Sequence, residues 1–449
     1  MKFAESQHKT PEAASNKNIK DKIIDKILNI TSKNSVLTEI FDMVSTIYKQ
    51  NKKNKNFLYT VYSCFLLFSP ILISLDRFIG LSGTLLTGVP FVLGLLIIIQ
   101  EKKYIRKYSV ITILFLMSVI INKDFINGFE TFKPLMIFLF SLDLCCSADF
   151  LVVLKRCFIK LKKAVFIMLV SIVGLNLIMV LFPSGYSIVD TETWGLEAYM
   201  GLYSSPHQAA YRFSMLIVFI VYMFLLNYNK LITIIMLFIT TFLLFKTGAR
   251  TPTLIGIFVI IFLLFTKRKE LLSISKTYIC RYKTAAKIVL PIIGIIMIAL
   301  LLKSAFVQKI INLSSESFDS GRSILRNHEL KYFIKSNLFN MLFGNPLDTV
   351  YNVNHMAIGA RIWCHNDFMQ ILMQFGILGL AAYLYSCGRF VLIQIKEIKS
   401  KETKTIFYLI VLLFAFVSFY NGLFFFPRFA MIIPLFYIMI RDGIKGVKK

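Results

Sequence analysis

Charge is scarce in this sequence: Asp, Glu, Lys and Arg make up 17% of it, against about 25% in ordinary soluble domains. With 57% hydrophobic residues and a mean hydropathy of +0.69, the chain is neither a soluble globular enzyme nor a disordered segment. Carboxylates are rarer still, 24 in 449 residues, and Asp143 alone lies well inside an apolar run. That is too few for an obvious intramembrane proton relay. There is no Asp-x-Asp, which argues against a metal-bound nucleotide-sugar site. The seven cysteines contain no Cys-x-x-Cys and the five histidines lack zinc spacing, so neither a metal site nor a disulfide framework is expected. Cys64, Cys145, Cys146 and Cys387 fall in or near apolar runs and read as membrane packing residues.

Long hydrophobic runs are what the sequence has in their place. Twelve can be marked off, at 57–75, 78–100, 108–122, 131–148, 164–183, 208–227, 231–246, 252–266, 285–302, 368–393, 405–421 and 428–440. Each is near the ~20 residues that cross a ~30 Å hydrocarbon core. The expected fold is an all-α integral membrane protein of about 12 transmembrane helices, with a helical extracytoplasmic loop subdomain between the ninth and tenth spans.

The net charge of +27 is placed accordingly. With a cytoplasmic N-terminus, 36 of the 51 Lys and Arg fall on the inner side and 13 on the outer, in the sense of the positive-inside rule. The charge is therefore topological, and nucleic acid is not the expected partner. The organisation that follows is a cytoplasmic arm (1–56), nine spans (57–302), the external loop (303–367), three spans (368–440) and a cytoplasmic tail (441–449). The arm is polar and Lys-rich, so no cleavable signal peptide is expected. Ile19, Ile23, Ile27 and Ile30 share a helical face in it, which predicts surface helices on the inner leaflet or a docking arm.

Two outer loops are long, 184–207 and 303–367, and the second carries seven of the outer basic residues. Basic residues outside need another cause, and an anionic ligand at the outer membrane surface is the simplest. Gly321-Arg322 opens a helical run in which Arg326 follows one turn on along the same face. A helix N-terminus with a guanidinium favours bidentate phosphate recognition, whereas pairing with Glu316 or Glu329 is the plainer alternative. In Trp363-Cys364-His365-Asn366-Asp367-Phe368, His365 stands at the mouth of the tenth span. A neutral imidazole there suits a general base, its tautomer fixed by Asn366 or Asp367; the plainer reading is an anchor for the helix end. Gly376 and Gly379 follow and predict close helix packing. Ala249-Arg250-Thr251 forms a tight outer turn that holds a guanidinium at fixed height or lets it snorkel. Gly201 to Gln208 leads into Tyr211 and Arg212 within the sixth span, a depth at which Arg needs a polar cavity or a partner.

Together these motifs resemble the O-antigen polymerase and ligase superfamily of multi-span glycosyltransferases. The matching segments are Gly201–His207, Ala249-Arg250-Thr251, Gly321-Arg322 and His365-Asn366-Asp367-Phe368 with Gly376-Ile377-Leu378-Gly379. Their order and spacing agree: 72 residues from Arg250 to Arg322 and 43 from Arg322 to His365. The resemblance spans roughly 200–440 and departs from the family at His207, where many members carry Asn.

The resemblance implies a polysaccharide (O-antigen or capsule repeat-unit) polymerase of the cytoplasmic membrane, with its active site facing outward. The donor would be a polyprenyl-diphosphate-linked oligosaccharide and the acceptor a sugar hydroxyl. Arg250 and Arg322 would grip the diphosphate and His365 would act as base, with Arg326, Arg212, Tyr211 and Asn366 as substrate-binding residues. Transfer would invert configuration and need neither metal nor other cofactor. Membrane lipid, a flippase and a chain-length regulator are the expected surroundings. A ligase of the same superfamily and a lipid-linked oligosaccharide transporter are the alternatives.

Overall fold

A computed structural model of the protein describes residues 55–79, 83–123, 125–189, 196–281, 302, 306–307, 322–398, 401–422 and 427–447. The amphipathic arm but for its last two residues, the run at 285–302 but for its last, and Gly321 therefore lie outside the described residues. Among these residues the chain is almost wholly helical, with fifteen α-helices. They are α1 (Lys55–Ile79), α2 (Gly83–Gln100), α3 (Lys102–Asn122), α4 (Phe125–Cys145), α5 (Ala148–Met179), α6 (Pro206–Leu225), α7 (Lys230–Lys246) and α8 (Arg250–Arg281). After the gap come α9 (Arg322–Lys335), α10 (Leu338–Phe343), α11 (Leu347–Ile358), α12 (Asp367–Glu397), α13 (Lys401–Tyr420), α14 (Pro427–Ala430) and α15 (Ile433–Val447).

Six of these helices, α1, α5, α6, α8, α12 and α13, are long and apolar enough to cross a membrane; α2 and α3 carry shorter apolar stretches. The helix starts follow local chemistry. Ser147 and Ser205 cap α5 and α6 by accepting from Phe150 N and Gln208 N, and Pro206 takes the first position of α6, where its missing N–H costs nothing. α8 bends at Lys267, whose φ of −123° is not helical, where the apolar run gives way to Lys and Arg.

α6 is the central element. From Ala209 to Phe224 every residue is buried, against α7, α8 and α15 among others. By contrast α5, α7 and α13 expose Ile167, Leu175, Phe238 and Leu412, the outward apolar faces expected of helices in contact with lipid. Lipid tails are as apolar as these side chains, so packing and hydrogen bonds rather than water exclusion hold such helices together.

Two segments between apolar runs carry structure of their own. In the long loop at 184–207, a 3-10 turn (Pro183–Gly185) leads into an antiparallel hairpin of β1 (Tyr186–Val189) and β2 (Leu196–Tyr199), with Tyr186 opposite Tyr199. Tyr186, Ile188, Val189 and Tyr199 are residues that suit a ladder, and Lys246 Nζ donates to Tyr186 Oη at 2.9 Å, fastening it to the end of α7. Between the runs at 108–122 and 131–148, the stretch is helical from Phe125 onward.

α12 is broken near its start. Gly376 has φ +67°, and a Cβ there would lie 2.3 Å from the Leu342 carbonyl carbon and oxygen of α10. The left-handed turn interrupts the helical ladder, and outside partners take the freed carbonyls. Asn345 N donates to Met373 O at 2.6 Å and Ser118 Oγ to Gln374 O at 2.9 Å. The expected close packing at Gly376 is thus a backbone crossing that only glycine permits.

Candidate functional site

The site is built where α6, α8 and α12 begin and α13 ends. Asn366 caps α12, its Oδ1 accepting from Met369 N at 3.0 Å. It is 4% exposed, and the imidazole takes a hydrogen-bond partner from another part of the chain. That partner is Asn421, just past the end of α13, whose side chain hydrogen-bonds to His365.

Arg322 is the first residue of α9 and reaches the same point. Its Nη1 donates to Tyr420 O at 2.6 Å and its Nη2 to Asn421 Oδ1 at 3.3 Å. The guanidinium fork thus grasps one of the carbonyls left open at a helix C-terminus together with the amide that meets His365. Asn421 Nδ2 donates in turn to Tyr211 Oη at 3.3 Å, and Tyr211 Oη donates to Gly422 O at 3.0 Å. Arg322, Asn421, His365 and Tyr211 therefore form one polar cluster drawn from four separate parts of the chain.

Gly422 makes the cluster possible. Its φ is +76°, and a Cβ would sit 2.7 Å from Trp363 Cζ3 and 2.9 Å from Asp367 Oδ1. The bare backbone lets the indole and the buried Asp367 close on the end of α13. Trp363 also flanks His365, with ring centroids 4.6 Å apart and an interplanar angle of 44°.

His365 is held neutral. Burial and, next, the positive field of Arg322 push its pKa down to about 4, against the opposing effect of its bond to Asn421. Its Nδ1 is buried without a hydrogen-bond partner among the described residues. Such orphaned atoms are rare in proteins and need a reason.

Arg250 opens α8. The turn before it is locked by Thr247 Oγ1 donating to Leu244 O and Thr253 Oγ1 donating to Ala249 O. Ser214 Oγ donates to Pro252 O at 2.7 Å, tying this turn to α6 three residues beyond Tyr211. Arg250 therefore stands at the same end of the bundle as the Arg322–His365 cluster. Arg326 lies with its Cζ 5.1 Å from the ring centre of Phe419 and 5.9 Å from that of Tyr420, over the end of α13. Arg212, 7% exposed, belongs to another group: its Cζ lies 5.4 Å from the centre of Tyr203, and Nη2 meets Gln208 Oε1 at 3.5 Å. Tyr203 Oη pairs with Ser74 Oγ, and Asn176 Oδ1 accepts from Leu202 N, so this second group fixes the turn before α6.

Asn421 and Gly422 were not singled out in the sequence for the site, and Trp363 stood in the His365 motif with no role given to it. Gly422 follows an apolar run closely, the position of a helix-ending glycine, and that was the available signal. A cavity of about 360 Å³ lies elsewhere, lined by Phe390, Phe407, Phe414 and Tyr437 among others. Its lining includes Glu397, the last residue of α12, whereas His365 stands just before the first, so this apolar space is apart from the polar cluster. Among the described residues no group of three or more His, Cys, Asp or Glu is placed to hold a metal ion. Compared with family models, curated proteins and solved structures, the chain matches none.

Proposed function

We propose that the protein is a polysaccharide polymerase of the cytoplasmic membrane, transferring glycan from a polyprenyl-diphosphate-linked donor to a sugar hydroxyl of the acceptor. The observation that carries this reading is the joining of Arg322 and His365 through Asn421. A phosphate-binding side chain and a neutral base then share one anchor.

In this reading about twelve spans cross the bilayer with both termini cytoplasmic, and the cluster faces outward. Arg322, with Arg250 at the same end of the bundle, binds the donor diphosphate. The bond from the anomeric carbon to the diphosphate oxygen breaks, and its electron pair leaves with the diphosphate, where a guanidinium stabilises the growing charge. The acceptor oxygen bonds to the anomeric carbon from the opposite face and inverts it, and its proton passes to the imidazole of His365. Arg322 gives the base a condition. Its field depresses the imidazole in the free protein, and a bound diphosphate offsets that field, so His365 becomes more basic once the donor is in place. The orphaned Nδ1 gives the acceptor hydroxyl a partner to satisfy.

The test supplies purified protein in nanodiscs with a polyprenyl-diphosphate-linked oligosaccharide as donor and acceptor. A ladder of carrier-linked products of increasing length is expected. Transfer only to a separate lipid or protein acceptor would replace the polymerase with a ligase. No consumption of donor, with intact protein, would overturn glycosyl transfer.

A further inference from the structure

The geometry points to Glu329 as a positioning residue: held as a neutral carboxylic acid, it clamps the segment leading into His365 onto α9 and α11. Its place in catalysis rests on the polymerase reading, whereas the clamp itself does not.

Glu329 lies seven residues after Arg322, two helical turns along one face of α9. It is 1% exposed, a burial that carboxylates seldom reach unless paired. The groups facing it are Cys364 from the segment before α12, Asn354 from α11, and Arg326 from its own helix.

Hydrogen-bond accounting sets the protonation state. Glu329 Oε1 and Asn354 Oδ1 are both buried without a partner, although the two side chains interact. An ionised carboxylate and an amide oxygen are both acceptors and cannot satisfy each other; a proton on the carboxyl turns one into a donor. Leaving both open at this depth would incur the desolvation cost of each with no bond in return. Burial also pushes the Glu329 carboxyl above the ordinary carboxylate range, against Cys364, Asn354 and Arg326, which favour the charged form.

The clamp holds a segment with no helix or strand of its own. Asn354 Nδ2 donates to Ile362 O at 2.9 Å, and Cys364 N donates to Gln370 Oε1 at 2.8 Å. Glu329 meets the side chain of Cys364, which is fully buried. The next residue is His365, so three elements fix the chain where the base emerges, and one of them also carries Arg322.

The test uses the full chain with Cys364 as its single cysteine and measures labelling by a maleimide in detergent, then turnover of the carrier-linked donor. The parent and E329Q, which mimics the neutral acid, should label slowly; E329A should label at least tenfold faster. Labelling of E329A as slow as the parent overturns the clamp. Labelling of E329Q as fast as E329A overturns the neutral-acid state. For turnover, E329A should lose kcat at unchanged KM and E329Q should restore it. Faster labelling of E329A with undiminished kcat overturns the positioning role, and a parent that labels slowly yet turns over no donor overturns the polymerase reading instead.

Discussion

Arg322→Lys separates charge from shape at the centre of the cluster. The arginine uses two nitrogens at once, Nη1 on Tyr420 O at 2.6 Å and Nη2 on Asn421 Oδ1 at 3.3 Å. A lysine has one nitrogen on a flexible stem and cannot hold the end of α13 and orient toward a diphosphate together. If the lost contact acts as a transition-state donor, the cost is roughly 2–4 kcal/mol, or about 30- to 1,000-fold in turnover. Arg322→Ala should lose the charge as well, and through the freed Tyr420 carbonyl about 1–3 kcal/mol of stability. The assay is ladder length and initial rate with the carrier-linked donor, normalised to protein in the membrane. Turnover by Arg322→Lys within twofold of the parent at equal abundance would refute the reasoning. Arg322 would then be a cap for the end of α13 and nothing more.

His365→Gln should abolish chain growth while preserving donor binding, measured by donor-dependent thermal shift; wild-type ladders would remove the base. His365 also leaves a pH signature, because its folded pKa of about 4 lies below the ordinary 6.5. Between those values the unfolded chain binds more protons, so stability from this residue is full above about pH 6.5 and falls as pH drops toward 4. The thermal midpoint of the parent should therefore rise more steeply over that window than that of His365→Gln, and equal slopes would contradict the buried neutral imidazole. Gly376→Ala should destabilise by more than ~3 kcal/mol, since the left-handed φ and a backbone contact at 2.3 Å admit no Cβ. Normal membrane abundance and melting for that variant would show the α10–α12 crossing to be looser than described.

Helices were legible where hydropathy alone decides. Apolar runs such as 208–227 and 368–393 became α6 and α12 because buried and lipid-facing residues alike read as apolar. The hairpin of 186–189 and 196–199 escaped because it lies in a mixed polar stretch whose ladder depends on pairing between the two strands. The break at Gly376 escaped for another reason: Gly-x-x-Gly in an apolar run reads as close helix packing, and only α10 reveals a backbone crossing. Arg322 and His365 drew notice as polar groups out of place, one basic residue outside and one imidazole at a helix start. The residue joining them did not, because Asn421 lies 99 positions from Arg322 and 210 from Tyr211, beyond any local pattern. Asn366 was legible as a residue of the site, and its further use, Oδ1 capping α12, shows only once the helix start is known.

Those separations also set an order of assembly. Arg322 waits for Tyr420 across 98 residues, Tyr211 for Gly422 across 211, and Gln374 O accepts from Ser118 across 256. During synthesis Ser118 and Tyr211, in the first half of the protein, are made long before the residues they bond. Each polar group left unsatisfied in lipid costs several kcal/mol, so the early helices are committed to polar debts that only the last third of the chain can settle. The cluster needs Asn421 and Gly422, and a chain stopped just short of them keeps α6 and α12 without the centre they meet at.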